Sequence, residues 1–140
     1  MPTSERRFRD DSSVRDRVVS LAQAICDKDV EYLMTHYAPD VVVYDVMTPL
    51  AVSSAAEYRK TFERWFASIS GPIDYEMNDL RISMSESHAF CHCVSHVRGT
   101  RTNGENVDYW VRVTTCFQKT NGQWLVGHEH VSKPVEMPKS

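Results

Sequence analysis

Two Asn-Gly pairs in the second half of the chain constrain its fold more than any other feature. Asn103-Gly104 and Asn121-Gly122 each lie between runs of β-branched and aromatic residues. Both residue types tolerate the positive φ angles of a two-residue hairpin turn, so each pair predicts a tight connection between antiparallel strands. The strands that they join are predicted near residues 88–98, 107–118 and 123–132. We therefore expect the C-terminal half to be an antiparallel meander.

The strand that precedes this meander has a break in its pattern. Apolar residues alternate over positions 73–77, and the alternation resumes one residue out of phase over positions 80–84. One extra residue in a strand shifts the phase in this way. We therefore predict a β-bulge near Asn78-Asp79.

The first half of the chain has a helical period instead. Apolar residues at spacings of three and four predict an amphipathic helix over residues 12–27. Asp29 is placed to cap a short second helix over residues 30–37, which ends before Pro39. A buried strand is predicted over residues 41–44 because they are β-branched and aromatic.

The residues after this strand predict a third helix. Ser54 and Glu57 form a capping box, in which the serine oxygen and the glutamate carboxylate accept hydrogen bonds from free backbone N–H groups. Gly71-Pro72 is expected to end the helix. Helices followed by a meander predict an α+β fold with the helices packed on one face of a curved sheet.

The composition excludes several classes of protein. The 140 residues carry a net charge of -3 and are 41% hydrophobic, which favours a globular domain over a disordered or nucleic-acid-binding chain. Neither a membrane-spanning run nor the apolar region of a secretory signal is present, so a membrane or secreted protein is not expected. We expect a frayed segment over residues 1–12, one domain over 13–134 and a tail over 135–140.

The four cysteines are expected to be small buried residues of a cytoplasmic protein. Cys91 and Cys93 share one face of a predicted strand, and no pair has the C-x-x-C spacing of many zinc and redox sites. Neither a disulfide nor a metal is therefore expected.

Two stretches, YAPDVVVYD over residues 37–45 and VRVTTCFQKTNGQWLVGHEHVS over residues 111–132, carry a family resemblance. With the predicted layout, they resemble the nuclear transport factor 2-like superfamily, in its SnoaL-like and ketosteroid-isomerase-homologue branch. The resemblance covers residues 14–134. It implies a cone-shaped, strongly curved antiparallel or mixed sheet with three N-terminal helices over a hydrophobic pocket, a homodimer through the outer sheet face, and no cofactor.

The resemblance implies catalytic residues only in part. Asp45 stands where ketosteroid isomerases have the aspartate that shuttles the proton. The two positions that match the family's oxyanion hole are Leu21 and Val113, and neither side chain can donate a hydrogen bond. Steroid isomerase activity is therefore not expected.

Asp45 is the first catalytic candidate from the residues themselves as well. It follows an apolar strand, where partial burial would raise the pKa of its carboxyl and make it a stronger base. The alternative is a structural aspartate that caps the turn before Thr48-Pro49.

Alternation along the strands predicts which side chains face the pocket. Aligned with the family, the last strand points His130 inward as a second catalytic residue. The predicted ligand-binding residues are His92, Tyr109, His128, Phe62, Trp65, Phe66 and Val113. A histidine there would polarise a carbonyl group or stabilise an enolate. The alternatives are core histidines, or a metal site made by the three histidines and Asp45.

Three residues are predicted to face outward. An ion pair between Arg112 and Glu129, beside Trp110, would suit a dimer interface. The alternative is a bulge that turns Arg112 inward, where it would bind an anionic ligand.

Three functions follow from these residues. The first is a cofactor-independent isomerase or cyclase, in which Asp45 removes a proton next to the carbonyl of a small hydrophobic compound. His130, with Tyr109 or His92, would stabilise the oxyanion. The second is a non-catalytic small-molecule-binding or dimerisation module. The third is a dehydratase or hydrolase that activates water.

Overall fold

A computed structural model describes residues 4–138 of the chain, and the side chains of residues 13–138. The elements are listed here in chain order: α1 (Ser4–Cys26), α2 (Val30–Met34), β1 (Tyr37–Tyr44), α3 (Ala55–Ser68), β2 (Ile69–Met84), β3 (His88–Arg101), β4 (Asn106–Thr120) and β5 (Gln123–Ser132).

The five strands form one curled, open sheet in the order β1-β5-β4-β3-β2. Strand β1 runs parallel to β5, and the other neighbours are antiparallel. Helix α1 packs against β2, and α3 packs against β1. The α+β fold with a mixed, curved sheet and three helices is therefore confirmed. Among residues 4–138 there is no helix long and apolar enough to cross a membrane.

The helix caps form as the sequence indicates. The Asp29 carboxylate accepts a hydrogen bond from the Tyr32 N–H at 3.1 Å. The Ser54 hydroxyl accepts one from the Glu57 N–H at 3.1 Å, and the Glu57 carboxylate accepts one from the Ser53 N–H at 3.3 Å. Each cap satisfies backbone donors that have no partner within the helix.

The helix bounds differ from the predicted ones. Helix α1 begins at Ser4 rather than near residue 12, while α2 ends at Met34 and β1 already begins at Tyr37. The sequence predicts a frayed segment over residues 1–12. Residues 1–3 and the side chains of residues 4–12 lie outside the described part of the chain. Residues 133–138 have no regular secondary structure.

The two Asn-Gly pairs form different turns. Asn121 and Gly122 have φ angles of 51° and 77°, which confirms the two-residue turn between β4 and β5. Only Gly104 has a positive φ at the other pair, 90°, and it lies in a longer loop over residues 102–105. That loop shifts the pairing of β3 with β4 by one residue from the pairing that a two-residue turn would produce.

Register shifts interrupt three of the four strand pairings, and two of these shifts concern bulges that bear on the sequence-based expectations. The predicted bulge on β2 is present, because the pairing with β3 shifts between Asn78 and Arg81, and Asp79 has a φ of 58°. A second bulge on β5 was not expected: Val126 pairs with Phe117 and His128 with Cys116, which leaves Gly127 as an extra residue. Every residue of β5 after Gly127 consequently lies on the opposite face from the one that simple alternation predicts.

Candidate active site

The concave face of the sheet and the helices enclose a cavity of about 240 Å³. Its walls are mainly apolar and include Leu21 of α1, Phe62 and Trp65 of α3, and Val111 and Val113 of β4. Val46 and Met47, in the segment after β1, also line it and are 40% and 74% exposed, so they mark its open end. Such a cavity accepts a small, mainly apolar molecule.

Asp45 lies on the wall of the cavity, directly after the last residue of β1. Its carboxylate is half-buried and accepts a hydrogen bond from the Val46 N–H at 2.8 Å. Burial raises the pKa of the Asp45 carboxyl, and the Val46 hydrogen bond opposes that rise only in part. A carboxylate with a raised pKa in an apolar site is a stronger proton acceptor than one in water.

A second carboxyl group, that of Glu129, lies in the same cavity and is 4% exposed. Its Oε1 accepts hydrogen bonds from the Tyr58 hydroxyl at 2.7 Å and from the Tyr37 hydroxyl at 3.1 Å. Its Oε2 accepts one from the Thr115 hydroxyl at 3.1 Å. We call Glu129, Tyr37, Tyr58 and Thr115 the Glu129 cluster.

The Glu129 carboxyl has a raised pKa. Burial is the main cause, and the nearby charge of Asp45 adds to it, while the hydrogen bonds from Tyr58, Tyr37 and Thr115 act in the opposite direction. The pKa values of both tyrosine hydroxyls lie well above the ordinary value because of burial and of the Glu129 charge. The tyrosines therefore remain protonated and keep donating to the carboxyl group.

The position of Glu129 corrects the sequence-based expectation. Simple alternation places it on the outer face in an ion pair with Arg112. The bulge at Gly127 turns it inward, opposite Thr115, while Arg112 is opposite Ser132 and its Nε donates to the Ser132 hydroxyl at 3.1 Å. The bulge exchanges the two faces of the strand after Gly127. It turns Glu129 inward and leaves Arg112 on the outer face. Arg112 therefore faces outward, and the alternative in which it turns inward to bind an anionic ligand is wrong.

The same bulge moves His128 and His130 out of the cavity. Both rings pack edge-to-face against Tyr44 on the outer side of the sheet, with centroid distances of 4.9 Å for His128 and 5.5 Å for His130. His128 Nδ1 also lies 2.7 Å from the Val42 carbonyl oxygen. Neither histidine lines the cavity, so the prediction that they face it is wrong.

His92 is also exposed on the outer face, for a different reason. A two-residue turn at Asn103-Gly104 would place His92 opposite Thr115, but the observed pairing places Cys91 there. A shift of one residue reverses both faces of a strand. Cys91 and Cys93 therefore line the cavity in place of the histidine.

The other predicted wall residues divide into two groups. Tyr109, Val113, Phe62 and Trp65 line the cavity. Phe66 is buried behind them, with its ring centroid 5.7 Å from that of Phe62, and does not line it. Burial raises the pKa of the Tyr109 hydroxyl, and the charge of Asp45 raises it further, so these two groups influence each other.

The outer face carries the remaining predicted residue. Trp110 is 48% exposed, and the His96 ring stacks on it with a centroid distance of 4.3 Å. His96 Nε2 lies 2.6 Å from an oxygen of Asp108. Trp110 therefore faces outward, as alternation along β4 indicates.

The comparisons with known proteins agree with this architecture. A family model of the SnoaL-like domain matches residues 14–136. The chain belongs to this family. The resemblance stated from the sequence is therefore confirmed. A comparison with curated protein sequences found no significant match.

Several solved structures are similar to this SnoaL-like domain over most of its length. A nuclear transport factor 2-like protein of unknown function from Pseudomonas putida KT2440 has 26% identity and a TM-score of 0.81, covering 90% of this chain and 87% of that one. A candidate dehydratase from Streptomyces avermitilis has 17% identity and a TM-score of 0.80, covering 92% and 99%. A ketosteroid isomerase-like protein from Erwinia carotovora has 16% identity and a TM-score of 0.76, covering 89% and 96%. The last two show a shared fold only.

The cavity of this SnoaL-like domain contains no basic side chain among the residues whose side chains are described. Its lining includes Asp45 and Glu129 but no lysine, arginine or histidine. No three His, Cys, Asp or Glu side chains within residues 13–138 come together as metal ligands. The alternative metal site is not formed, because its histidines and Asp45 lie on opposite sides of the sheet.

Sequence reasoning missed the Glu129 cluster, although one signal was available. An isolated glycine inside a strand often marks a bulge, and Gly127 lies between Val126 and His128 in the middle of β5. A bulge placed there would have moved Glu129 to the inner face. The partners Tyr37 and Tyr58 come from distant parts of the chain and had no local signal.

Proposed function

We propose that this protein is a cofactor-independent enzyme that performs acid–base chemistry, of the isomerase or cyclase type, on a small hydrophobic carbonyl compound. One observation carries the proposal: the Asp45 carboxylate lines an apolar cavity, and burial raises its pKa. Perturbed acids in clefts are typical of catalytic sites.

Asp45 acts as the general base in this proposal. It removes a proton from the carbon next to the substrate carbonyl, and the electron pair moves onto the carbonyl oxygen to form an enolate. Asp45 then returns the proton to a different carbon, which completes an isomerisation. The same proton leaves one carbon and returns to another, so no external oxidant or reductant takes part.

The Tyr109 hydroxyl is proposed to donate a hydrogen bond to the enolate oxygen. It lines the cavity and is close enough to Asp45 for the carboxylate charge to raise its pKa. His130 and His92 cannot share this role because they lie on the outer face. A donor placed where negative charge develops stabilises the transition state.

Elimination of water is a second candidate function, favoured by one observation. Glu129 is a second carboxyl group in the same cavity, and its raised pKa favours the protonated form. A protonated Glu129 would give its proton to a leaving hydroxyl group while Asp45 removes a proton from the neighbouring carbon. The products are an alkene bond and one water molecule.

Exchange of protons for deuterium tests the role of Asp45. Wild type in D2O is expected to accelerate deuterium incorporation next to the carbonyl of cyclohexanone or tetralone, followed by NMR. Asp45→Asn should lower that rate by about 10²- to 10⁴-fold. Asp40→Asn, which changes an exposed aspartate of β1, is the matched control and should leave the rate unchanged.

Two outcomes would contradict this proposal. An unchanged exchange rate in Asp45→Asn would remove Asp45 from the mechanism. Probes that bind wild type tightly but show no exchange and no elimination would favour a non-catalytic binding module.

We also propose a homodimer through the outer face of the sheet. The large apolar side chains of Phe90 and Trp110 point outward from β3 and β4 and are 46% and 48% exposed. Sedimentation should show about twice the chain mass of 16.1 kDa for wild type, and the single-chain mass for Trp110→Glu. The control, Val19→Glu, alters an exposed apolar residue of α1 and should remain dimeric. A wild-type protein of 16.1 kDa at micromolar concentration would contradict the dimer.

The four cysteines support the expectation of a reducing compartment. All four are free thiols, and burial raises the pKa of Cys91 to about 12, which keeps its thiol protonated and unreactive. We propose the cytoplasm as the location of the protein.

A further inference from the structure

The Glu129 cluster uses its hydroxyl protons internally. Tyr58, Tyr37 and Thr115 each have one hydroxyl proton, and each donates it to an oxygen of Glu129. Tyr58 and Thr115 also line the cavity. Their oxygens therefore present lone pairs to a bound molecule, and lone pairs accept hydrogen bonds.

Glu129 itself adds more acceptor sites than protons. An ionised carboxylate accepts hydrogen bonds on both oxygens and donates none, whereas a protonated one contributes a single proton. The cluster as a whole therefore has an excess of acceptors in either state. All four of its residues are at least 94% buried, so a donor placed there by a ligand faces little competition from water.

The charges of the cavity also disfavour an anionic ligand. Asp45 and Glu129 both line it, and the described lining residues include no basic side chain that would pair with an anion. Transfer of an anionic ligand into this site would leave its charge without a partner and next to two carboxyl groups. An uncharged or cationic group has no such penalty.

The walls define the rest of the ligand. Phe62, Trp65 and Val113 present apolar surface, and the volume of about 240 Å³ is below the range that is usual for drug-sized ligands. The body of the ligand is therefore small and apolar. Tyr109 and Asp45 provide the polar groups near the carbonyl of a substrate, and the Glu129 cluster provides a separate polar site.

We infer that the cavity selects small apolar molecules that carry a hydroxyl or amine group, which donates a hydrogen bond to the Glu129 cluster, and that it rejects carboxylates. This inference deepens the proposed function. It rests on that function in one respect, which is that the cavity is the substrate site. The substrate is then a hydroxy- or amino-carbonyl compound, with its hydroxyl or amine at the Glu129 cluster and its carbonyl near Asp45 and Tyr109.

Binding of four probes that share one naphthalene ring system and differ in one substituent tests this selectivity. The probes are methylnaphthalene, naphthalenemethanol, naphthalenemethylamine and naphthoate, with dissociation constants measured by calorimetry or NMR titration. Wild type should bind the alcohol or the amine about tenfold more tightly than methylnaphthalene, and naphthoate more weakly than either. The ratio of alcohol to amine affinity distinguishes a neutral from a cationic ligand.

Two substitutions connect the selectivity to the cluster. Glu129→Gln replaces one acceptor oxygen by a donor and removes the charge, so the preference for alcohol and amine and the rejection of naphthoate should both diminish. Glu136→Gln, which changes an exposed glutamate after β5, should bind the probes as wild type does. Thr115→Val keeps the shape and removes one hydroxyl acceptor, so it should weaken alcohol binding even if Glu129→Gln fails to fold.

The outcomes separate this inference from the proposed function. Equal affinities for all four probes, or tightest binding of naphthoate, would overturn the inference and leave the deuterium-exchange result of Asp45 untouched. A selectivity that Glu129→Gln and Thr115→Val both leave unchanged would also overturn it. A folded wild type that binds no probe at millimolar concentration would overturn this inference, and the deuterium-exchange experiment would still decide the proposed function.

Discussion

The inner and outer faces of β5 place neighbouring residues in opposite environments. Glu129 is 4% exposed and accepts three hydrogen bonds inside the cavity, while His128 and His130 lie against Tyr44 on the outer side. The three residues are consecutive in the chain. Their local sequence pattern does not distinguish which of them faces the core, because a carboxyl group and two imidazoles are all polar.

This difference shows that single-residue shifts in pairing decide the chemistry of the cavity. The extra residue Gly127 brings Glu129 inward, and the loop over residues 102–105 brings Cys91 inward in place of His92. Each shift exchanges every side chain of a strand segment between the two faces. The result is a cavity with two carboxyl groups and no described histidine.

Replacing one residue of each face by alanine should give the largest difference in unfolding free energy between the two faces. Glu129→Ala should lower the free energy of unfolding by about 2 to 3 kcal/mol, because it leaves buried hydroxyls of Tyr37 and Tyr58 without their acceptor. His130→Ala should change it by no more than about 0.5 kcal/mol, since that ring is exposed. Denaturant unfolding measures both. Equal losses would mean that the inner and outer faces are not energetically distinct.

The pH dependence of stability should also distinguish the inner carboxyl. The pKa of Glu129 in the folded protein lies above its ordinary value of 4.5, so the folded state retains a proton that the unfolded state has already lost. Its stabilising contribution is then present below pH 4.5 and is lost as the pH rises through the folded pKa.

The difference in unfolding free energy between wild type and Glu129→Gln isolates this effect. As the pH rises above 4.5, wild type should lose stability relative to Glu129→Gln. Subtraction cancels the opposite trend from buried His36, whose pKa burial lowers below 6.5. A difference that stays constant between about pH 4 and 8 would contradict the raised pKa.

The smallest effect is expected at the bulge itself. A methyl group on Gly127 would lie 3.1 Å from Nε2 of Gln118, an exposed and flexible side chain that can move aside. Because the backbone of Gly127 has no positive φ, Gly127→Ala should change stability by about 0.5 kcal/mol or less. Thermal or denaturant unfolding measures the change. A loss as large as that of Glu129→Ala would mean that the bulge requires glycine.

Local patterns predicted much of the fold. The capping residues Asp29 and Ser54, the turn at Asn121-Gly122 and the bulge near Asn78-Asp79 all appear in the structure. Each depends on residues within one or two turns of the chain, so the sequence contains the whole signal. The position of Asp45 at the end of β1 was predictable for the same reason.

The Glu129 cluster could not be assembled from local patterns. Its members come from β1, α3, β4 and β5, and the Tyr37–Glu129 hydrogen bond joins residues 92 positions apart. Such contacts depend on how the strands pair and where the helices pack. Phe66 illustrates the same limit, because periodicity identified it as apolar without indicating that it lies behind the cavity wall.

The sequence by itself determined the elements of this protein, their order, the SnoaL-like resemblance and the acid at the end of β1, because helical and strand periods and turn residues act over short distances. Only the tertiary structure decided which polar residues enter the cavity. A strand has a period of two, so one inserted residue or one shifted pair exchanges inside for outside. Glu129 is in the cavity and the histidines are outside it for that reason.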